Sequence, residues 1–359
     1  MHAAIFTGTT ELSVEDVTPV EPGPTDVVVR IGASGVCHSD VSAANGTIPT
    51  PPPCILGHEG AGVVEWVGSE VSRVQVGDHV VASFVPACGN CFFCLHGQSN
   101  LCTLSNEVFV TPKATRADGS TAISMTGLGT FADQMTCHEA NVVKIHTDLP
   151  DSQLALIGCG VTTGVGAALN TAHVVPGSTV AVIGCGGVGQ AVIQGARIAG
   201  AARIIAIDPV EMKRKTAEAF GATDLVDPGE GDAIAQVMAL TGGIGADYAF
   251  EVIGLPETIT QAYAMARRGG TAVVVGMPKW DSQVTLPGFD MFFGEKKLLG
   301  CVYGSAQVRT DFQRFVSLVE TGRLDLGSMV SREIALDEVN DAFRAMAAGE
   351  VIRSVITSL

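Results

Sequence analysis

Residues 184–189, with the sequence GCGGVG, follow directly on a short apolar run at 179–183 that is rich in β-branched side chains. Such a run is typical of a buried parallel strand, and G-x-G-x-x-G at its end is typical of a strand-turn-helix that receives a phosphate. Gly184 permits the tight turn, and Gly186 lets backbone amides approach a pyrophosphate. Gly189 lets the following helix pack closely on the strand. The pattern predicts dinucleotide binding.

A second apolar run, residues 203–207, ends in Asp208, about twenty residues after the glycine loop. A carboxylate at this position accepts both ribose hydroxyls of an adenosine and repels a 2′-phosphate. Pro209 and Val210 follow it and offer no cation to receive such a phosphate. We therefore predict that the dinucleotide is NAD rather than NADP.

Strand and helix patterns alternate from about residue 161, which predicts a six-stranded, doubly wound parallel sheet. The predicted elements of this region are strands near 179–183, 203–207, 224–227, 247–253, 271–276 and 297–303, and helices near 188–199, 210–220, 232–241 and 256–268. The preceding residues instead hold many short strands punctuated by glycine, which predicts a β-rich, partly barrel-like domain. Helical pieces near 310–320 and 336–348 are expected to rejoin that domain.

Composition limits the classes of protein that the chain can belong to. Its 359 residues suggest about two domains, and 47% hydrophobic residues supply ample core. A net charge of −16 disfavours binding to nucleic acid or to anionic membranes. The chain shows neither a long uncharged apolar run nor a signal peptide, so we expect a soluble, cytoplasmic protein. Ten cysteines in such a chain favour metal ligands, catalytic groups or buried small hydrophobes over disulfides.

The strongest metal-binding pattern is C-x2-C-x2-C-x7-C, formed by Cys88, Cys91, Cys94 and Cys102. Four thiolates so close in the chain can close a tetrahedral shell, which suits zinc and leaves no position for water. The pattern predicts a structural zinc site, with an iron–sulfur cluster as the alternative.

A second metal site requires distant parts of the chain. Cys37, His58 and Cys159 each lie among glycines, which we interpret as turns. Two cysteines, one histidine and a water are a ligand set of open, catalytic zinc sites. A lone cysteine is also typical of a buried hydrophobic position, and a lone histidine of a hydrogen-bonded structural one. Spacing alone leaves this site open.

Five motifs occur together, in one order, over nearly the whole chain: GVCHSD at 35–40, GHEGAG at 57–62, the cysteine lobe at 88–102, GCG at 158–160 and GCGGVG at 184–189. Together they resemble the zinc-dependent medium-chain alcohol dehydrogenases. The resemblance implies an α/β architecture with two domains and two zinc ions per subunit. Its catalytic zinc would be held by the distant cysteines and histidine, and its structural zinc by the lobe.

The domains that the resemblance implies are a GroES-like catalytic domain and a Rossmann NAD-binding domain. The first would comprise residues 1–160 and 304–359, and the second residues 161–303. The zinc would act as a Lewis acid that makes the alcohol hydroxyl easier to deprotonate, and hydride would pass reversibly to the nicotinamide.

The resemblance also assigns roles around the catalytic zinc. Ser39 would bond the alcohol oxygen and start a proton relay, and Asp40 would accept the second ring proton of His58. The alternative for Asp40 is a helix N-cap. Glu59 would be a nearby carboxylate. Many relatives continue the relay with a histidine where this chain has Ser42, so the relay must end in water or in another group.

The cofactor contacts implied by the resemblance are His38, Thr163, Gly184, Gly186, Gly187, Val188, Gly189, Asp208, Lys213, Val275, Met277 and Arg353. Of these, His38 and Arg353 would pair with the pyrophosphate, and Lys213 would lie beside the adenosine ribose. Solvated surface charges are the alternative for Lys213 and Arg353.

Ile48 and Phe84 are expected to line the substrate pocket, with ordinary core positions as the alternative. The branch of the family that acts on a formaldehyde–glutathione adduct has an acid where this chain has Ile48 and an arginine where it has Asn106. A primary aliphatic, allylic or aromatic alcohol is therefore the predicted substrate. A nicotinoprotein with permanently bound NAD(H) and an external electron acceptor is the alternative function. A zinc- and NAD-binding protein without activity is disfavoured by the intact ligand set.

Quaternary structure is predicted by resemblance only. Residues 103–129 form a long polar segment, and in relatives a similar insertion accompanies dimers. We expect a homodimer joined through a sheet edge near residues 298–303.

Overall fold

The computed structural model describes residues 1–359, which form two compact units. The first unit comprises Met1–Cys159, Gln307–Thr321 and Leu326–Leu359, and the second comprises Gly160–Ala306 and Gly322–Asp325. The boundaries expected from sequence lie at residues 160 and 303. The second unit thus extends a few residues further and includes the short segment from Gly322.

Nineteen strands form the sheets of the two units. In chain order they are β1 (His2–Phe6), β2 (Ser13–Asp16), β3 (Thr18–Pro19), β4 (Asp26–Val36), β5 (Cys54–Ile55), β6 (Glu59–Val67), β7 (His79–Ala82), β8 (Pro112–Thr115), β9 (Thr121–Ser124), β10 (Gln134–His138), β11 (Val142–Lys144), β12 (Thr179–Ile183), β13 (Arg203–Ile207), β14 (Asp224–Val226), β15 (Ala246–Glu251), β16 (Ala266–Val274), β17 (Lys297–Gly300), β18 (Val330–Ala335) and β19 (Arg353–Ser358).

The α-helices are shorter in the first part of the chain than in the last. They are α1 (His38–Ala44), α2 (Phe92–Leu95), α3 (Ser105–Val108), α4 (Asp151–Leu156), α5 (Thr162–Gly166), α6 (Gly187–Ile198), α7 (Glu211–Phe220), α8 (Ala233–Leu240), α9 (Pro256–Met265), α10 (Gly288–Gly294), α11 (Val308–Glu320) and α12 (Val339–Ala347). Two π-helical segments, Ile157–Val161 and Ala167–Thr171, continue α4 and α5.

The first unit is β-rich, as the glycine-punctuated sequence predicts. One sheet has the order β2-β1-β5-β9-β8-β3, and the other β11-β7-β6-β4-β19-β18 with β10 also paired to β4. Along β4, Val27, Val29 and Ile31 are buried at alternate positions, which is the period of a strand with one core face. The last four residues of β4 are all buried, so its end leads into the interior.

The second unit is built on a single parallel sheet, which confirms the predicted doubly wound architecture. Its strand order is β14-β13-β12-β15-β16-β17, and every neighbouring pair is parallel. Continuous apolar strands such as β12 and β13 are buried on both faces, as expected for a sheet covered by helices on each side. Strand order reverses between β12 and β15, and ligands of such sheets bind beyond the carboxyl ends of the strands at this point.

Several elements of the second unit differ from the sequence prediction. Strands β15 and β17 end at Glu251 and Gly300, before the predicted residues 253 and 303. The helix predicted at 256–268 ends at Met265, and β16 begins at Ala266, ahead of the predicted start at residue 271. A bulge explains this difference, because the β15–β16 register shifts between Ala246 and Tyr248. Helix α10 was not predicted: Phe289, Phe292 and Phe293 are exposed, so no buried stripe marks it in the sequence.

The interpretation of residues 158–160 as a turn is wrong. These residues lie inside a continuous helix, Asp151–Thr171, that changes from α to π geometry at Ile157. This helix is long and apolar enough to cross a membrane, but 83% of its apolar window is buried inside the protein. Gly158 permits a close approach that a larger residue would prevent, because a Cβ there would lie 2.8 Å from the carbonyl oxygen of Ala82.

Candidate active site

Four side chains of the first unit converge on one buried point. The ligand atoms of Cys37, His58, Glu59 and Cys159 all lie within 4.8 Å of one another, and all four residues are buried. The structure therefore brings together the three residues predicted to hold a catalytic zinc ion. It adds the Glu59 carboxylate to the same cluster.

Each ligand residue is positioned by a different element. Cys37 is the N-cap residue of α1, directly after the buried end of β4. His58 directly precedes β6, behind Gly57, which has a φ of +87° that suits glycine. Cys159 lies in the π-helical segment Ile157–Val161. Single π turns inside α-helices occur frequently at functional sites.

Asp40 connects two of these elements. Its Oδ1 accepts hydrogen bonds from the Gly57 amide at 3.1 Å and lies 3.0 Å from Nδ1 of His58. Its Oδ2 accepts from the Cys37 amide at 2.9 Å. Asp40 is fully buried, so these contacts replace water. The helix N-cap alternative for Asp40 is wrong, because Cys37 is the N-cap residue of α1 and Asp40 is the third residue of the helix. Its side chain contacts the ring of His58 and accepts from the N-cap amide.

The remaining ring nitrogen of His58 identifies the cluster as a ligand site. Nε2 is buried and has no hydrogen-bond partner in the protein. A buried polar atom without a partner costs stability, and coordination to a cation satisfies it. Two sulfur atoms, an imidazole nitrogen and a carboxylate form a donor set that zinc accepts, so the residues fit the metal.

The electrostatics of the cluster also suit a cation. The pKa of the Cys37 thiol lies well below its ordinary range, mainly because the neighbouring Cys159 stabilises the thiolate, whereas burial opposes the shift. Burial lowers the pKa of His58, but the charges of Asp40 and Cys37 and the hydrogen bond to Asp40 outweigh it and raise this pKa to about 10. Thiolate is the form of cysteine that ligates metals.

Glu59 is paired with a buried cation. Its carboxylate accepts a hydrogen bond from Nη2 of Arg353, the first residue of β19, and both side chains are at most 5% exposed. A Cβ at Gly35 would lie 2.2 Å from the Glu59 carboxylate, so the pair needs glycine on β4. Arg353 is therefore not a solvated surface charge. Its predicted contact with a pyrophosphate stays a prediction.

Of the other predicted residues, two contact residues of the cluster, and for the remaining two the structure gives only burial and position in the chain. The Oγ of Ser39 is half-buried and lies 3.8 Å from Sγ of Cys37. The ring of Phe84 packs edge-on against His58, with centroids 5.9 Å apart. Ile48 is half-buried, and its amide donates to the carbonyl of Ser42 at 2.9 Å. His38 begins α1 and is exposed.

The four-cysteine lobe is a second cluster of possible metal ligands. The sulfur atoms of Cys88, Cys91, Cys94 and Cys102 lie within 4.8 Å of one another. Only Cys102 is buried, and the other three are half-buried. The turn at Gly89 has a φ of +86°, which glycine adopts without strain.

Sequence reasoning missed two arginines behind the lobe. Nη1 and Nη2 of Arg73 donate to the carbonyls of Ala87 and Cys88 at 3.0 and 2.7 Å, and Arg309 also donates to Ala87. Burial and the nearby Arg73 lower the pKa of Arg309, whereas the charges of Cys94, Glu139 and Cys88 act in the opposite sense. Two like charges at one carbonyl are favourable beside an anionic set of thiolates. The sequence around the lobe does not identify these arginines. Arg309, for example, belongs to α11, which is far from the lobe in sequence.

In the second unit, the loop after β12 has the geometry expected for phosphate binding. Gly184 has a φ of +93°, and a Cβ at Gly189 would lie 1.9 Å from the carbonyl oxygen of Gly184. Gly186 is the N-cap residue of α6 and provides no side-chain cap, and a Cβ there would meet nothing within 4 Å. The first amides of α6, including those of Gly187 and Val188, thus have no side-chain cap, and a helix N-terminus of this kind suits an anion.

The other predicted cofactor residues of this unit follow the carboxyl ends of the strands or begin helices. Asp208 follows β13, is 6% exposed, and accepts hydrogen bonds from the amides of Cys185 and Val210, both at 2.8 Å. Lys213 is half-buried in the first turn of α7. Thr163 is half-buried in α5. Val275 and Met277 both follow β16, where Val275 is half-buried and Met277 is exposed.

Two family descriptions match the chain. A zinc-binding dehydrogenase domain matches residues 187–321, and an alcohol dehydrogenase GroES-like domain matches residues 23–147. A parallel sheet with a glycine loop and a β-rich unit with two cysteine clusters therefore define a zinc-binding dehydrogenase.

Known proteins are similar over the whole chain. S-(hydroxymethyl)glutathione dehydrogenase of Synechocystis is 38% identical over 352 residues, which is 95% of this chain and 94% of that protein. The crystal structure of benzyl alcohol dehydrogenase from Acinetobacter calcoaceticus is 30% identical, with a TM-score of 0.93 over 100% of this chain and 99% of that one. A Sinorhizobium meliloti protein crystallised with NADP is 30% identical, with a TM-score of 0.82 over 99% and 98%.

The chain belongs to the zinc-dependent medium-chain alcohol dehydrogenase family. The family resemblance inferred from the five sequence motifs is thereby confirmed.

Proposed function

We propose that the protein reversibly oxidises a primary aliphatic, allylic or aromatic alcohol to the aldehyde, with zinc held by Cys37, His58 and Cys159 and with hydride transfer to NAD. The observation that carries this proposal is the buried cluster of ligand atoms within 4.8 Å of one another. The unpartnered Nε2 of His58 in the same cluster supports a bound cation.

A zinc ion at this position supplies Lewis acidity, which lowers the pKa of an alcohol hydroxyl toward neutrality. Ser39 is the polar side chain suited to start the proton relay, because its Oγ lies 3.8 Å from the Cys37 sulfur. Its hydroxyl would accept the alcohol proton as it passes its own proton on to water or another group. Asp40 fixes the ring of His58 through Nδ1 and leaves Nε2 for the metal. Phe84 packs against the His58 ring and gives this side of the site an apolar surface that would exclude water.

The preference for NAD is proposed from Asp208. Its carboxylate follows β13 and accepts hydrogen bonds from the amides of Cys185 and Val210. These bonds keep a negative charge where a 2′-phosphate would otherwise lie. A protein of this fold has been crystallised with NADP, so the fold itself accommodates either dinucleotide. The discriminating feature must lie in particular residues.

The substrate class is proposed from two residues that the family resemblance assigns to substrate binding. Ile48 is half-buried and apolar, and Asn106 carries no charge, so neither offers a grip for the charged groups of a glutathione adduct. Similarity alone does not choose between substrates, because one relative acts on a glutathione adduct and another on benzyl alcohol. We therefore expect benzyl alcohol and hexanol to be oxidised much faster than S-(hydroxymethyl)glutathione.

The test is the absorbance of the reduced nicotinamide, recorded on metal-analysed protein with a panel of alcohols and either NAD or NADP. Growth of the signal with NAD and an apolar alcohol, together with two zinc ions per subunit, is the expected result. Faster turnover of S-(hydroxymethyl)glutathione than of the apolar alcohols would contradict the proposed substrate class. A faster reaction with NADP than with NAD would contradict the proposed cofactor. A reduced band already present in the purified protein, without growth on adding NAD, would indicate the nicotinoprotein.

We also propose that the protein is a homodimer joined at β17, the edge strand of the parallel sheet. Leu298 is 38% exposed and Val302 is 51% exposed, and the nearby Phe292 of α10 is 81% exposed. Exposed apolar groups beside an unpaired strand edge favour pairing with a second copy. Light scattering is expected to give the mass of a dimer, and a monomer or tetramer would contradict the proposal.

A cytoplasmic location is proposed from the state of the cysteines. All ten are free, and seven of them belong to the two ligand clusters. Thiols persist in reducing compartments, whereas an oxidising compartment would favour disulfides among the closely spaced lobe cysteines. Fractionation of cells is expected to recover the protein with cytoplasmic markers, and recovery with a secreted or membrane fraction would contradict this.

A further inference from the structure

Gln190, in the first turns of α6, is fully buried although it is polar. Its Nε2 donates two hydrogen bonds, to the carbonyl of Cys185 at 2.8 Å and to the carbonyl of Lys213 at 2.9 Å. The first carbonyl belongs to the glycine loop, and the second to the first turn of α7. The side-chain oxygen Oε1 is buried without a partner, so this amide is retained at a cost in stability.

Asp208 also joins the glycine loop to the start of α7, and together with Gln190 it forms a hydrogen-bond circuit between them. Its Oδ2 accepts from the amide of Cys185, and its Oδ1 accepts from the amide of Val210, which directly precedes α7. Cys185 is therefore held through its N–H by Asp208 and through its carbonyl by Gln190. The start of α7 is likewise held at Val210 by Asp208 and at Lys213 by Gln190.

This circuit fixes the parts that would meet the adenosine end of a dinucleotide. Asp208 and Lys213 belong to the elements after β13, whereas the glycine loop follows β12. Gln190 joins these elements through backbone carbonyls, so its effect does not depend on which side chains they carry. A binding site held rigidly before the ligand arrives loses less entropy on binding and discriminates more sharply.

We propose that Gln190 is a positioning residue for the recognition of the adenosine ribose, and that through Asp208 and Lys213 it sets the preference for a free 2′-hydroxyl over a 2′-phosphate. This inference rests on the proposed use of NAD. It adds a determinant that makes no contact of its own with the cofactor.

The same helix provides a matched control. Gln194 is also fully buried, and it also makes two hydrogen bonds to backbone groups, donating to the carbonyl of Asp325 at 3.0 Å and accepting from its amide at 2.8 Å. Asp325 belongs to the short segment Gly322–Asp325 of the second unit and not to the glycine loop or α7. A purely structural role predicts similar effects of substitution at the two positions.

The test measures the dissociation constants of ADP-ribose and of 2′-phospho-ADP-ribose by calorimetry on the metal-loaded wild type and on Gln190→Met and Gln194→Met. These ligands report the adenosine end without requiring turnover. In Gln190→Met, the dissociation constant of ADP-ribose should rise about fivefold to tenfold, corresponding to the loss of about one buried hydrogen bond. The dissociation constant of 2′-phospho-ADP-ribose should change less, so the preference for ADP-ribose over 2′-phospho-ADP-ribose should fall. In Gln194→Met, the preference should equal that of the wild type.

A second variant keeps the proposal testable if Gln190→Met does not fold. Gln190→Asn retains an amide that is too short to reach both carbonyls, and it should lower the preference in the same direction by a smaller factor. An unchanged preference in the folded Gln190 variants, or an equal loss in Gln194→Met, would overturn the role of Gln190. A wild type that prefers the 2′-phosphate would instead overturn the proposed use of NAD, and with it this inference.

Discussion

The two cysteine clusters of the first unit have the same compactness but different origins. In each, the ligand atoms lie within 4.8 Å of one another. The lobe takes all its sulfur atoms from one short segment that ends at Cys102. The buried cluster takes its ligands from the end of β4, the start of β6 and a π-helical turn.

This difference indicates which cluster each perturbation will affect. A cluster formed by one segment stabilises that segment and leaves no donor to spare once its four thiolates are bound. A cluster formed by three elements depends on the packing of all three, and Asp40 and Arg353 bind its ligand residues from further elements. The lobe should therefore control stability, and the buried cluster should control the reaction.

The largest effect is expected from Cys159→Ala. Loss of this sulfur should remove the zinc of the buried cluster and lower the rate of alcohol oxidation by at least about 10³-fold, since a Lewis acid contributes several kcal/mol to the transition state. The zinc content determined by metal analysis should fall from two ions to one per subunit. Cys137→Ala, at a fully buried cysteine outside both clusters, is the control and should keep both ions and the rate.

Cys102→Ser should reverse this pattern. Loss of the lobe zinc is expected to lower the melting temperature by about 5–10 °C, in keeping with a contribution of a few kcal/mol from a structural metal site. The rate per folded molecule should stay within about threefold of the wild type, because the ligands of the buried cluster are untouched. A protein of normal stability that has lost its activity would contradict the division of roles.

Asp40→Asn tests the indirect support of the buried cluster. The substitution weakens the acceptor that holds Nδ1 of His58 and the amide of Cys37, so zinc affinity should fall by about 10–100-fold. Competition with a chelator measures this, and the affinity of the lobe should not change. Equal affinities in the variant and the wild type would show that packing alone holds His58.

The smallest expected effect concerns the start of the helix that carries Cys159. Asp151 begins α4, and its Oδ1 lies 2.5 Å from Nε2 of His79 on β7. The hydrogen bond that His79 donates to Asp151 raises the pKa of His79, although burial lowers it. The pair should stabilise the fold fully below the ordinary histidine pKa of about 6.5, by about 1 kcal/mol or less, and lose this contribution as pH rises through the raised pKa.

Unfolding of Asp151→Asn and of the wild type over a pH series measures this contribution. The difference in their free energies of unfolding should shrink with rising pH. In a His79→Gln background, the effect of Asp151→Asn on the free energy of unfolding should no longer depend on pH. A difference that grows with pH would contradict the assignment.

The sequence predicted the features whose physical cause is local. The glycine loop and the alternating apolar runs predicted the doubly wound sheet, and the spacing of the lobe cysteines predicted their cluster. The family resemblance and the β-rich first unit are also confirmed. In each case a short stretch of chain carries both the pattern and its structural cause.

Features that depend on tertiary contacts were not predictable in this way. Cys159 was assigned to a turn because glycines flank it, but Gly158 serves a close approach to the carbonyl of Ala82 within a helix. Arg309 reaches the lobe from α11, and Gln190 reaches α7 from α6. Neither residue has a neighbour in sequence that marks its role, because its partners are backbone carbonyls of other elements.

The most direct test of the zinc-dependent reaction is to remove zinc from the wild type with a chelator and add it back in steps. Bound zinc, the melting temperature and the rate of NADH formation from benzyl alcohol are measured on the same samples. We predict that the rate returns only as the site formed by Cys37, His58 and Cys159 fills, and that the lobe zinc restores stability alone. Full NADH formation by zinc-free protein would contradict the account.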